Sequence, residues 1–211
     1  RNTAWSTMLL SIASSEDPDE LENCVDMAEH SLEVLRRFDD KPGMARALSV
    51  LGELARMGGD YQSARPYYEE SLALSQETGE RIREAIQYSN LGIVAYHQSQ
   101  HRVAVNYFQQ ALAIFQELDI QPVNELQSLA GPTAALGYPL KAARLIGAAE
   151  AVLEITGIDP QPPDLQDILP IIETVRQALG EQAYQGAWQA GYTLSTQQAF
   201  ALALSDLDVA E

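Results

Sequence analysis

The chain has a single cysteine, Cys24, in 211 residues. It therefore can form no internal disulfide and no thiolate metal cluster. That scarcity fits a reducing, cytoplasmic setting, and Cys24 reads as a small apolar core residue on a helix face. Basic residues are also few: 13 Lys and Arg stand against 30 Asp and Glu, a formal charge of −17. Such a field repels phosphate backbones and anionic headgroups, so neither direct nucleic-acid binding nor membrane contact is expected. No apolar run approaches the roughly 18 residues of a membrane span. The opening Arg1-Asn2-Thr3 has neither an initiator Met nor the apolar core of a signal peptide. The expectation is a segment of a larger chain.

The signatures of catalysis are missing as well. There is no G-x-x-x-x-G-K-[ST] phosphate loop, no G-x-S-x-G elbow and no H-E-x-x-H pair. His97 and His101 stand four apart, the spacing that would place two imidazoles on one helix face, but a break at Gln98-Ser99-Gln100 separates them. The carboxylate run Glu16-Asp17-Pro18-Asp19-Glu20 lacks the spaced ligands and glycine of a calcium loop. Asp17 as an N-cap, Pro18 at the first helical position and acids favoured by the helix dipole account for it. No metal, no cofactor and no enzymatic activity are expected.

What the chain does contain is a repeat. Residues 45–76, ARALSVLGELARMGGDYQSARPYYEESLALSQ, align without a gap on residues 85–116, EAIQYSNLGIVAYHQSQHRVAVNYFQQALAIFQ, at an offset of 40. Leu51-Gly52 falls on Leu91-Gly92, Ala64 on Ala104, Tyr67-Tyr68 on Tyr107-Phe108, and Leu72 on Leu112. Ala47, Leu48, Leu51, Leu54 and Ala55 recur at helical spacing, which predicts one buried face. Gly58-Gly59-Asp60 then breaks the helix and caps the next. Ala64, Tyr68, Ser71 and Leu72 predict the buried face of that second helix, with Tyr68 filling the space beside Gly52. Pro66 predicts a slight kink. More degenerate units flank these: Cys24, Ala28, Ser31 and Leu32 precede by 40, and Gly131, Ala143, Gly147 and Glu150 follow by 39.

The pattern Leu51-Gly52…Ala64…Tyr68…Ser71, and Leu91-Gly92…Ala104…Phe108…Ala111 after it, resembles the tetratricopeptide repeat. The resemblance implies an all-α, right-handed α-solenoid of antiparallel helix pairs, here with a period of 40 rather than 34. In that family the first helix of each pair lines a concave groove. Its inward positions fall here on Arg46, Ser49, Glu53 and Arg56, then on Ile86, Ser89, Ile93 and Tyr96, with Asn90 and His97 adjacent. The alternative is that Ile86, Ile93 and Tyr96 pack on the following repeat.

The segment Ile158–Pro163 ends the repeats. This divides the chain into residues 1–157, about four helix pairs, a Pro-rich linker at 158–163, and a three-helix cap at 164–211. Leu165, Ile168, Ile172, Val175 and Leu179 predict an apolar seam on the first cap helix. Ala183, Tyr184, Ala187 and Trp188 predict a short second helix stopped by Gly191. Ser195 with Gln198 predicts a capping box before the third. From Lys141 onward, Ala142-Ala143-Arg144-Leu145, Gly147-Ala148-Ala149-Glu150, Ala178-Leu179-Gly180, Ala187-Trp188 and Leu194-Ser195 resemble the C-terminal end of bacterial STAND-type ATPases. Those join a LuxR-like or other output domain to an NTPase and a tetratricopeptide sensor region. The resemblance implies a non-catalytic regulatory module that binds a protein, a peptide or a small-molecule effector and could form homo-oligomers. The alternative is a stand-alone scaffold that holds a peptide in its groove.

Overall fold

The structure, a computed structural model, describes residues 18–157 and 162–207, with side chains described except at 18–21 and 162–167. Helices take 85% of the described residues and no strand occurs among them, so the fold is all-α. The helices fall into two compact units, one ending at Gln98 and one beginning at Ser99.

The first unit contains α1 (Pro18–Arg37), α2 (Lys41–Met57), α3 (Tyr61–Thr78) and α4 (Arg81–His97). Its turns are written into the sequence at a fixed phase: Asp39, Gly59 and Gly79 each take a positive φ, of 48°, 76° and 71°. The residue after each is an N-cap. Asp40 and Asp60 accept hydrogen bonds from the backbone N–H of Gly43, at 3.3 Å, and Ser63, at 3.0 Å. These bonds satisfy amides that the first helical turn leaves without partners.

Packing follows the expected faces with two shifts, at Ala55 of α2, which is half-buried beyond Leu54, and at Leu72 of α3. Cys24, Ala28, Leu32 and Leu35 of α1 interlock with Ala47, Leu48, Val50, Leu51 and Leu54 of α2. A Cβ added to Gly52 would stand 2.6 Å from Tyr68 Cε1, so the glycine is the socket for that ring. Ser71 donates its hydroxyl to the Ala45 carbonyl at 2.7 Å, tying α3 to the α2 backbone. On α3 the buried stripe is Ala64, Tyr68, Ser71 and Ser75, whereas Leu72 is half-buried. The stripe steps by three and four, and Ser75 completes it because its hydroxyl turns back to the Ser71 carbonyl at 2.7 Å. Pro66 lies inside a continuous α3 and faces solvent.

The second unit contains α5 (His101–Glu117), α6 (Val123–Ala135), α7 (Pro139–Thr156), α8 (Pro162–Leu179), α9 (Glu181–Tyr192) and α10 (Thr196–Leu204). Its central helix, α7, is buried nearly all round, from Lys141 to Val152, because α6, α8, α9 and α10 all pack on it. The crossing of α7 and α9 is set by two glycines. A Cβ on Gly147 would lie 2.0 Å from the Trp188 carbonyl oxygen, and one on Gly191 would lie 1.9 Å from that of Arg144. Gly191 therefore does not stop α9, which continues to Tyr192; it lets the two backbones touch. On α8 the buried seam is Ile168, Ile171 and Val175, with Ile172 half-buried and Pro170 exposed. The seam steps by three and then four through Ile171 rather than Ile172, and the Leu165 side chain lies outside the described residues. Ser195 and Gln198 form the expected capping box on α10. At the other end of α10, Lys141 donates to the Ser205 carbonyl at 2.8 Å and Gln109 to that of Ala203 at 3.1 Å. Both bonds place donors on carbonyls left open by the last turn.

Candidate functional site

In the first unit α2 and α4 share a polar seam. Gln87, fully buried, donates to the Ser49 hydroxyl at 3.1 Å, and its Oε1 meets no donor among the described residues. Arg46 reaches Glu80 at 4.0 Å, while Arg83 donates to the same carboxylate at 3.0 Å. Two guanidiniums thus share Glu80. Burial is the main influence lowering the pKa of Arg83, Glu80 opposes it, and Arg46 adds a like charge. Further along, Arg56 closes on Glu53 through two bonds of 2.6 and 3.1 Å, and the Tyr68 hydroxyl donates to Glu53 at 3.2 Å. Burial, and then the Glu53 carboxylate, push the Tyr68 phenol upward.

The α4 positions divide differently. Ser89 is 9% exposed and belongs to the packing, whereas Asn90, Ile93 and Tyr96 are half-buried and Ile86 and His97 are exposed. Burial raises the pKa of the Tyr96 phenol. The His97 ring stacks on Tyr61 at 4.2 Å and meets the Tyr96 ring edge-on at 5.6 Å. Gln98 accepts from Arg65 at 2.7 Å and donates to the Tyr61 carbonyl, fixing the end of α4 to the start of α3.

Two participants were not legible in the groove positions. Ile82 is 55% exposed. It falls with Ile86 and Ile93 within about 40° on one side of α4. Its spacing to Ile86 was a usable signal, but it lies outside the aligned repeat. Gln87 occupies a buried packing position that holds Ala47 in the preceding repeat, so an apolar register masks its amide.

The second unit carries a separate polar cluster. Trp188 donates to Glu150, Arg176 lies 4.7 Å over the Tyr184 ring, and Arg176 is 3.3 Å from Glu181. Burial raises the pKa of Glu150, with Trp188 and Arg176 acting in the opposite sense. Trp188 stacks on Tyr192, whose hydroxyl donates to Glu154. These contacts join α8 and α9 to α7. Among the described residues, no three His, Cys, Asp or Glu side chains converge as a metal site, and no helix is long and apolar enough to cross a membrane.

The tetratricopeptide repeat family model matches residues 19–77 and 59–117, two frames displaced by the same 40 residues as the internal repeat. Residues 19–117 thus carry tetratricopeptide repeats. No curated protein matches the chain. Among solved structures, it is similar to the nearly identical TPR-like repeats described for a putative kinesin light chain of Podosopora anserina. The identity is 17% and the TM-score 0.65, covering 93% of this chain and 94% of that one. A singly substituted form of those repeats gives 17% and 0.66, with 93% and 92% covered. BtubC (BKLC) from P. vanneervenii gives 16% and 0.56, with 95% and 89% covered. At these identities the likeness is one of fold, a TPR-like solenoid.

Proposed function

We propose that the chain is a non-catalytic protein-interaction module that binds an extended peptide segment of a partner along the α2–α4 face. The observation that carries this reading is the α4 stripe: Ile82 and Ile86 are 55% and 39% exposed, and Ile93 and Tyr96 continue the line half-buried. Such side chains are anchors for a partner, because their desolvation supplies affinity. At the start of the stripe the Arg46 and Arg83 guanidiniums both reach Glu80, placing rim charges beside the apolar anchors that tune association with the peptide. Glu53 and Arg56 neutralise each other and serve as a rim. The repeats between residues 19 and 117 support a binding rather than a catalytic role.

The finer reading is that this module is the sensor portion of a larger cytoplasmic signalling or transcriptional regulator, for which the tail from Lys141 is the support. An NTPase with a phosphate loop upstream in the parent gene favours the sensor, and a parent without one favours a plain scaffold. The binding reading is tested by selecting 12-residue peptides on the full chain and titrating the best binder. Ile93→Ala with Tyr96→Ala, verified as folded by circular dichroism, is expected to weaken binding by about 2 kcal/mol or more. Arg46→Ala should cost less and lose its effect at high salt. A folded double variant with unchanged affinity removes this face from consideration.

A further inference from the structure

A second surface of the first unit has a different chemistry. Between α1 and α3 lies a groove of about 480 Å³, lined by Leu32 of α1, Leu51 of α2 and Tyr67 of α3, with Asp26, Glu29 and Glu33 among its α1 residues. Leu32 and Leu51 are buried and Tyr67 is half-buried, so the apolar lining is held in place by the core beneath it. The basic side chains of the lining are His30 and Arg36; Arg36 is held 3.1 Å from Glu70 on α3, which spends its charge across the groove. Glu33 pairs with Arg37 at 2.5 Å, whereas Asp26 and Glu29 pair with no cation among the described residues.

We propose that this groove docks a basic amphipathic helix of a partner protein, independently of the α2–α4 face. Lysine and arginine match it in both parts of the side chain. Their methylene stems lie on apolar surface while the charged heads reach the rim carboxylates, and the Tyr67 ring can take a cation on its face. A helix laid between two helices is a recurring recognition mode, with apolar anchors at three- and four-residue spacing. The formal charge of −17 acts in the same direction, drawing a basic segment in faster than diffusion alone.

The test uses the full chain and a fluorescein-labelled 16-residue peptide of four Leu-Lys-Lys-Leu blocks at 0.15 M salt, followed by anisotropy. Saturable one-site binding is expected. Asp26→Asn with Glu29→Gln and Glu33→Gln should weaken it about tenfold. A charge-matched variant, Asp119→Asn with Glu173→Gln and Asp206→Asn, should change it less than about twofold, because those carboxylates are exposed residues of the second unit. A peptide with Ser for every Leu should bind about fourfold more weakly, since the apolar lining then has no counterpart. Equal losses in the two triple variants would reduce the effect to net charge and overturn the proposal. So would the absence of saturable binding, or equal affinity for the Leu and Ser peptides. Ile93→Ala with Tyr96→Ala should leave this binding unchanged, which separates the two surfaces.

Discussion

Two alanine substitutions in the second unit should act in the direction opposite to their helix propensity. Gly→Ala inside a helix ordinarily stabilises by about 1 kcal/mol, through the unfolded chain and the better helical backbone. At Gly191 the new methyl would meet the Arg144 carbonyl at 1.9 Å, and at Gly147 the Trp188 carbonyl at 2.0 Å. Ordinary contact begins near 3.4 Å, so the helices must part by about 1.5 Å. Neither atom is on a side chain that could rotate away. Parting α7 from α9 loosens Tyr184 and Ala187, which are buried, and the Trp188 bond to Glu150. Overpacking of this kind costs about 1–3 kcal/mol. With backbone against backbone the upper end applies, and subtracting the propensity gain leaves a net loss of about 2 kcal/mol. For a chain of this length that corresponds to roughly 4–8 °C in Tm. Gly186 supplies the control on the same helix: nothing stands within 4 Å of an added Cβ, so Gly186→Ala should raise Tm. Thermal melts followed at 222 nm would compare the three variants. A Gly191→Ala protein melting at or above wild type would refute the crossing as described.

Other consequences follow from the caps and turns. Ser99 holds a φ of 59°, a region costly for residues with a Cβ, so Ser99→Gly should stabilise by up to about 1 kcal/mol in urea melts. Ser195→Ala removes the capping box of α10 and should cost about 1 kcal/mol in the same assay. Burial raises the pKa of Glu150 above its unfolded value, so stability from this group is present below the unfolded value and lost as pH rises through the folded one. Glu150→Gln should therefore stabilise near neutral pH, with the gain fading in acid, as measured by melts across pH. Asp60 has the opposite sign: the Ser63 hydrogen bonds lower its pKa, and its stabilisation fails as pH falls through that lowered value.

The repeat was legible because it is written in small and large residues at fixed phase. Gly52 and Tyr68 form a socket and plug that either residue alone would only hint at, and the offset of 40 repeats the glycine–aromatic spacing in sequence at Gly92 and Phe108. Turn chemistry was equally open to reading where Gly58-Gly59-Asp60 and Ser195-Gln198 use local bonds. A glycine near a helix end usually stops the helix, yet the role of Gly191 depends on a backbone 47 residues earlier in sequence, at Arg144. No local pattern records such a contact. Ile171 displaced Ile172 for a related reason: an apolar pair in sequence leaves the phase of the helix open, and packing on the neighbouring helices chooses it. In the candidate site, register alone marks the inward positions. Register could not show that Ser89 is consumed by packing, that Glu53 and Arg56 engage each other, or that Ile82 extends the stripe.

The proposed binding face is tested most directly by mapping a selected peptide onto the labelled chain by amide chemical shifts during titration. The perturbed amides are expected to gather on α4 at Ile82, Ile86, Ile93 and Tyr96, with Arg46 and Ser49 of α2 beside them. Perturbations that leave α4 unmoved and gather instead on α8–α10 would contradict it.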